Sequence, residues 1–340
     1  MSQAIERPAD ERVAWVPSIP FILLHLAPLG LLWTGFTAFD VALCIGFYAM
    51  RMFFITASYH RYFSHRSYKM GRVMQFLMAL GGTLAVQKGP LWWAGHHRHH
   101  HKHSDQAEDI HSPLKGFWWS HVGWIVCAKF NETPTHLIRD FAKFPELRWL
   151  DRFHWVPPLV LGVAVWAAFG WSALFMGYFL SLVLAWHCTY FINSLTHLFG
   201  RRRYVTTDTS RNSFILALVT FGEGWHNNHH YYQSSANQGF FWWEIDISYY
   251  VLKLLSWVGL VKDLRNPPQH VVEANRLRDG YADIGMFQAN WKKAVRYLDS
   301  ARAQAGEYYE ERKHALDEMV ESTSEAAQRI ADIPVKAPAE

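Results

Sequence analysis

Four groups of histidines stand out in the chain: His60-Arg-Tyr-Phe-Ser-His65, the run from His96 to His103, Asn193-Ser-Leu-Thr-His197, and His226-Asn-Asn-His229-His230. There are 20 histidines in 340 residues, and 17 of them lie between His60 and His230. Residues i, i+3 and i+4 of a helix share a face. His226, His229 and His230 are therefore expected to converge, as are His97, His100 and His101, and Asn193 shares a face with His197. A lone buried histidine usually serves the core as a hydrogen-bonding residue. Two separate His-x-x-His-His triplets more than 120 residues apart point instead to metal ligation. Nine or ten imidazoles exceed the ligand set of one zinc ion and imply two metals side by side. The carboxylates that bridge many two-metal hydrolytic sites are missing from these groups. Imidazole-rich iron against apolar helices suits O2 activation on a greasy substrate. The second group contains the triplet twice, as His96/His99/His100 and as His97/His100/His101, and helical periodicity alone cannot choose between them.

The elements that must hold these groups are apolar. Half of the residues are hydrophobic and only 18% are charged, below the usual quarter of a soluble domain. The net charge of +4 is modest and the basic residues form no block, which argues against nucleic-acid binding. Three scattered cysteines, Cys44, Cys127 and Cys188, build neither a disulfide framework nor a Cys-based zinc site. Met1 to Pro17 mixes acidic and basic residues and does not read as a signal peptide. A bilayer crossing takes about 20 apolar residues. Ile19 to Tyr59 carries only Asp40 and Arg51, and Phe153 to Gly200 carries no Asp, Glu, Lys or Arg. Each is long enough for a hairpin, predicting spans near 19–37, 40–59, 154–170 and 172–194, with turns at 34–40 and 170–172. Met70 to Ala94 is too short a run to cross and reads as a re-entrant or interfacial helix. Phe240 to Leu260 reads as an interfacial amphipathic helix, and 283–330 as an exposed helix before a frayed tail. The segment 58–155 holds 13 Lys and Arg against seven Asp and Glu. By the positive-inside rule it lies in the cytoplasm with both termini, which places every histidine group on that side. The expectation is an all-α integral membrane protein with four transmembrane helices and a cytoplasmic histidine-rich cap. Its parts are an N-terminal segment 1–18, a catalytic domain 19–265 and a polar helical tail 266–340, and the bacterial inner membrane is its expected location.

The order His-x4-His, His-x2-His-His, Asn-x3-His and a final His-x2-His-His resembles the membrane fatty acid desaturase family, and within it the Δ9 acyl-CoA and acyl-lipid desaturases. The words that carry the resemblance are His60-Arg-Tyr-Phe-Ser-His-Arg-Ser-Tyr-Lys69, Gly116-Phe-Trp-Trp-Ser-His-Val-Gly-Trp124, Asp208-Thr-Ser-Arg-Asn212 and Phe221-Gly-Glu-Gly-Trp-His-Asn-Asn-His-His230. They fall within roughly residues 20–265. The resemblance implies a di-iron cap in which His60, His65, His97, His100, His101, His197, His226, His229 and His230 hold two Fe2+ ions, with Asn193 reaching one of them through water. It chooses the His97/His100/His101 register, because His100-His101-Lys102-His103-Ser104 continues as the family does. The implied reaction removes two hydrogens from a saturated acyl chain, with O2 as co-substrate, to leave a cis double bond.

The resemblance also matches Gln87, Trp93 and Thr189 to positions that shape a bend in the substrate tunnel. Met52 and Tyr48 lie eight and twelve residues before His60, about 12 and 18 Å deeper along the second span, where they would limit chain length. Where animal acyl-CoA enzymes carry an Arg-Asp pair, this chain has Gly95 and His96; Lys129 is kept as a head-group contact, but Ala128 replaces its basic neighbour. That departure weakens CoA as the acyl carrier and leaves an acyl-lipid or acyl-carrier-protein ester open. No Gly-x-Gly-x-x-Gly word and no cysteine cluster is present, so electrons are expected from a separate ferredoxin, rubredoxin or cytochrome b5 with a reductase. Two other readings stay open from the residues alone. One is a di-iron hydroxylase of a lipid or alkane. The other is a metal transporter or sensor, which needs polar ligands at mid-membrane, where only His25 and His187 stand, isolated in sequence.

Overall fold

A computed structural model describes residues 8–277 and, between 295 and 314, a set of helical positions. In chain order the main helices are α1 (Trp15–Thr34), α2 (Ala38–Ser64), α3 (Arg72–Thr83), α4 (Pro90–His103), α5 (Pro145–Arg152), α6 (Val156–Leu198), α7 (Phe214–Val219), α8 (His226–Tyr231) and α9 (Ile247–Trp257). Two short strands, β1 (Lys69–Met70) and β2 (Val261–Lys262), pair antiparallel with Lys69 opposite Lys262. The protein is mostly helical, as its composition and periodicity predict.

Three helices, α1, α2 and α6, are long and apolar enough to cross a membrane. Their outer faces leave large apolar side chains such as Leu23, Leu32, Ile45, Val160 and Val163 exposed, which suits contact with lipid. Gly35 turns the chain at φ 63°, and Thr37 and Asp40 then form a capping box at the start of α2. One of the two charges in the first apolar stretch is thus a helix cap. The other, Arg51, is fully buried: it donates to Leu84 O at 3.0 Å, bonds the Ser181 hydroxyl, and lies 4.7 Å from the Tyr178 ring centroid. Helix α6 breaks at Gly170 (φ 80°, ψ −170°), within the turn expected there. The Tyr178 hydroxyl donates to Pro158 O at 2.8 Å. Residues 20 apart in one straight helix stand about 30 Å apart, so the two halves of α6 run side by side.

Met70 to Ala94, expected as one helix, is two. Helix α3 spans 12 residues, about 18 Å and too short to cross a bilayer. The turn after it carries Val86 (φ 53°) and Lys88 (φ 62°) in the left-handed region, and α4 starts afresh at Pro90. The main core joins Ile55, Tyr59 and Phe63 of α2 to Met78 of α3, Leu91 of α4, Leu150 of α5 and Leu252 of α9. It packs α2 and α4, two of the histidine-bearing helices, against one another. Residues 266–277 stay tied to this body, with Arg265 N donating to Ser67 O, Val205 N to Asn275 O and Leu277 N to Arg203 O. Of the exposed helix expected over 283–330, the described positions from 298 to 314 are helical and exposed; the rest of it, and the tail, lie outside the described residues.

Candidate metal centre

The end of α2 is wound as a π-helix over Phe54–Ser64. In an α-helix, His60 and His65 would sit about 140° apart around the axis, since five residues turn it by about 500°. The wider π-turn, with His65 N donating back to His60 O at 3.2 Å, brings the two rings to 4.8 Å between centroids. The other ligand-bearing helices converge on this point. His60, His65, His97, His101 and His229 make one group, and His100, His197, His226 and His230 a second; within each, the ligand atoms all lie within 4.8 Å of one another. The two are adjacent, with the His101 and His230 ring centroids 4.5 Å apart.

Here the structure corrects the expectation that each triplet converges on one place. In α4 the i and i+4 residues, His97 and His101, enter the first group while His100 enters the second. In α8 the pattern is reversed: His226 and His230 enter the second group and His229 the first. The i+3 and i+4 side chains diverge by about 100° around the helix, so one helix serves two adjacent points.

Nitrogen geometry and proton placement both fit a cation in each group. Nε2–Nε2 separations are 3.0 Å for His65–His97, 2.9 Å for His97–His101, 2.9 Å for His101–His229, 3.0 Å for His60–His229 and 3.0 Å for His197–His226. Two nitrogens bound about 2.1 Å from one ion in cis positions of an octahedron stand about 3.0 Å apart. Nδ1 of His60 faces Glu223 at 2.5 Å, of His100 Asp109 at 2.9 Å, of His197 Asp105 at 3.1 Å and of His230 Asp208 at 2.6 Å. Each carboxylate accepts the Nδ1 hydrogen and leaves the Nε2 lone pair pointing inward. His230 Nε2 is buried without a hydrogen-bond partner among the described residues. Burial, then the neighbouring imidazoles, hold His97, His101, His226 and His229 well below the usual imidazole range. His230 falls to about 4, burial outweighing Asp208. At His100 the balance is reversed: burial pulls down, but Asp109 and two further aspartates raise it. Neutral lone pairs packed 3 Å apart repel unless a cation sits between them.

Two cavities reach this centre. The first, about 270 Å³, is lined by α1 residues such as Phe21 and Leu24 and by Val86, Gln87, Lys88, Trp93, His97, Thr189 and Asn193. The second is lined by Met52, Ile55, Thr56, His60, His100 and His226, and shares Trp93, His97, Thr189 and Asn193 with the first. At this shared wall Trp93 Nε1 donates to Gln87 Oε1 at 3.1 Å, and Gln87 Nε2 to Thr189 Oγ1 at 3.3 Å. The three residues matched to the bend are thus one hydrogen-bonded chain. Met52 faces the second cavity. Tyr48 lines neither cavity; its hydroxyl donates to Val219 O at 2.6 Å. Lys129 lines neither cavity and donates to Glu11 Oε1 at 2.7 Å.

His96 and His99 turn away from the groups: His96 Nδ1 faces Trp92 O at 2.9 Å and His99 Nε2 faces Glu108 O at 2.9 Å. Gly95 sits where an added Cβ would meet Pro134 Cγ at 2.8 Å, so α4 leaves no room there for a large head-group residue without displacing that proline. His25 and His187 are not isolated: their Nε2 atoms are 3.3 Å apart, and His187 Nδ1 is 3.0 Å from His121 Nε2. The carboxylates on Nδ1 escaped sequence reasoning, because Asp105, Asp109, Asp208 and Glu223 are distant in sequence from most of the rings they orient. Asp208 and Glu223 did stand inside the two later words of the resemblance. Gln238, whose amide nitrogen is placed 3.3 Å from His60 Nδ1, carried no sequence signal.

A fatty acid desaturase family model matches residues 23–260. An sn-2 palmitoyl-lipid 9-desaturase of Nostoc sp. (strain 36) is 36% identical over 284 residues, covering 78% of this chain and 95% of the relative. An sn-1 stearoyl-lipid 9-desaturase of Anabaena variabilis is 37% identical over 262 residues, covering 75% and 94%. An acyl-CoA C20 Delta5-desaturase of Anemone leveillei is 33% identical over 252 residues, covering 73% and 79%.

Proposed function

The chain belongs to the fatty acid desaturase family, and from that premise we propose that it places a cis double bond at the Δ9 position of a saturated acyl chain. The observation that carries this reading is the contact between two apolar cavities and two histidine groups of the spacing a metal pair needs. We assign His60, His65, His97, His101 and His229 to one Fe2+ ion and His100, His197, His226 and His230 to the other, with Asn193 acting through water. When bound, the irons supply the O2 chemistry that removes hydrogen from unactivated methylenes. The remaining work falls to the protein. The Trp93–Gln87–Thr189 chain sets the wall against which the acyl chain bends, and the apolar lining excludes water. Met52 stands in the second cavity, where a methyl end would come to rest.

We place the chain in the membrane with four crossings, counting the two halves of α6 separately, and with the histidine groups and both termini on the cytoplasmic side of a bacterial inner membrane. The support is the charge bias of 58–155 and the fold-back at Gly170. Electrons are assigned to a separate carrier: ferredoxin, rubredoxin or cytochrome b5 with a reductase. The substrate is assigned to acyl-lipid or acyl-CoA esters, the two kinds named among the relatives. Expression in a host that makes saturated acyl chains tests the reading. New cis double bonds between C9 and C10 in its lipids are the expected result. Hydroxylated chains without double bonds would move the assignment to a hydroxylase.

A further inference from the structure

The first cavity has a polar rim whose place and charge bear on the head group of the substrate. Its lining includes one Lys or Arg, Lys88, and no Asp or Glu. Other lining residues lie at the ends of membrane-length helices: Pro17 and Ser18 in the first turn of α1, and His154 two residues before α6 begins. The tryptophans that start or precede these helices, Trp15 and Trp155, are 71% and 54% exposed. Exposed tryptophans at helix ends mark the level of lipid head groups. The rim and the lipid head groups therefore share one depth.

Lys88 is held at that rim by backbone and side chain together. Val86, Gln87 and Lys88 all line the cavity, and the turn that presents them puts Val86 and Lys88 at positive φ. A β-branched residue seldom adopts that conformation, so the surrounding fold imposes it. The Lys88 ammonium lies 4.6 Å from the Trp92 ring centroid and donates to Asn131 Oδ1 at 2.8 Å and Asn131 O at 3.3 Å. These hydrogen-bond acceptors are neutral and belong to an exposed residue. Nearby, His154 Nδ1 is buried without a hydrogen-bond partner among the described residues. Asp151 is engaged elsewhere, accepting from Leu91 N, Trp92 N and the Thr133 hydroxyl. Burial pulls the Lys88 ammonium down to about 8 even with Asp151 near, so it keeps its charge at neutral pH and an anion at the rim would raise it again.

We infer that Lys88, with Asn131 and His154, is the head-group site of the first cavity and selects acyl substrates that carry a phosphate. The inference rests on the desaturase reading and narrows its substrate class. A phosphate oxygen replaces Asn131 as the acceptor for Nζ, while the acyl chain runs inward toward Trp93 and His97. A membrane phospholipid and an acyl-CoA both offer that phosphate; a neutral galactolipid does not.

Three substrates separate these cases with iron-loaded enzyme and an electron donor: dipalmitoyl phosphatidylglycerol in nanodiscs, palmitoyl-CoA, and dipalmitoyl monogalactosyldiacylglycerol in nanodiscs. The expected result is a kcat/KM at least fivefold higher for one or both phosphate-bearing substrates than for the galactolipid. Whichever is preferred identifies the source of the phosphate. Lys88→Gln should erase most of that ratio through KM, and Lys88→Arg should restore it. A general loss of structure would lower all three substrates together and leave the ratio in place. Asn131→Asp, at an exposed position, puts a carboxylate on Nζ and should lower the ratio as well, which covers the case of a poorly folding Lys88→Gln. A wild-type ratio near one, or a ratio unmoved by both Lys88→Gln and Asn131→Asp, overturns the inference. Absence of any new double bond in all three substrates counts against the desaturase reading itself. Native mass spectrometry then decides the head-group question without turnover. Retention of phosphatidylglycerol or palmitoyl-CoA over the galactolipid, lost in Asn131→Asp, upholds the inference, and equal retention of all three overturns it.

Discussion

Each His-x-x-His-His triplet contributes to both histidine groups, so single substitutions should read out the register of the second cluster directly. His97→Ala and His101→Ala each remove a nitrogen from the five-membered group and should abolish activity and lower bound iron. His96 faces Trp92 O and lines the first cavity, and His99 faces Glu108 O; neither joins a histidine group, so His96→Ala and His99→Ala should leave iron content and activity largely intact. The reverse pattern, by activity and by iron analysis, would reassign the site. The carboxylates behind the rings offer a second test. Asp208→Asn keeps the shape but weakens the 2.6 Å partner of His230 Nδ1. Loss of such an orienting partner typically costs about 10–100-fold in metal affinity. Chelator competition should show a loss of that size, and an unchanged affinity would mean the carboxylate does not orient the ring.

At the level of elements, two departures from regular helix stand out: the π-wound end of α2 brings His60 and His65 together, and the break at Gly170 folds α6 back on itself. Gly170 adopts a backbone conformation essentially reserved for glycine (φ 80°, ψ −170°). Gly170→Ala should destabilise the protein by about 1–3 kcal/mol, seen as a lower thermal midpoint in detergent; an unchanged midpoint would mean the turn is not under this constraint. Met52 lies two α-turns before His60 and faces the second cavity. Met52→Ala opens that end and should lengthen the acyl chains accepted, measured as the product profile of the expressing host. An active variant with an unaltered profile would show that chain length is limited elsewhere.

For the molecule as a whole, four helices bring nine imidazoles into two adjacent groups, and their cost without metal is electrostatic as well as functional. Purified, fully loaded protein should hold two irons per chain; a consistent single zinc after aerobic and anaerobic preparation would refute the di-iron assignment. Removing the metal should also lower the unfolding midpoint. A ligand present at about 1,000 times its dissociation constant stabilises the folded state by about 4 kcal/mol, and apo protein forgoes that term while keeping its facing lone pairs. Differential scanning fluorimetry before and after chelation measures the difference.

Much of this was legible in residue order. Apolar runs free of charge specify membrane-length helices because a bilayer offers backbone groups no partner but each other. Histidines at i, i+3 and i+4 share helical faces because helix geometry is local, and the resemblance carried by His100-His101-Lys102 favoured His97, His100 and His101, the members of that run that stand in the two histidine groups. What remained hidden depended on groups far apart in the chain. The split of each triplet between two groups needed α4 and α8 facing each other, and the pairing of His60 with His65 needed a π-turn that no periodicity announces. Asp105, Asp109, Asp208 and Glu223 look like ordinary polar residues until folding sets them against imidazoles up to 163 positions away. His25 and His187 looked isolated for the same reason, since a hydrogen bond across 162 residues leaves no local trace. Local spacing dictates which faces carry chemistry; only the packing of helices decides which faces meet.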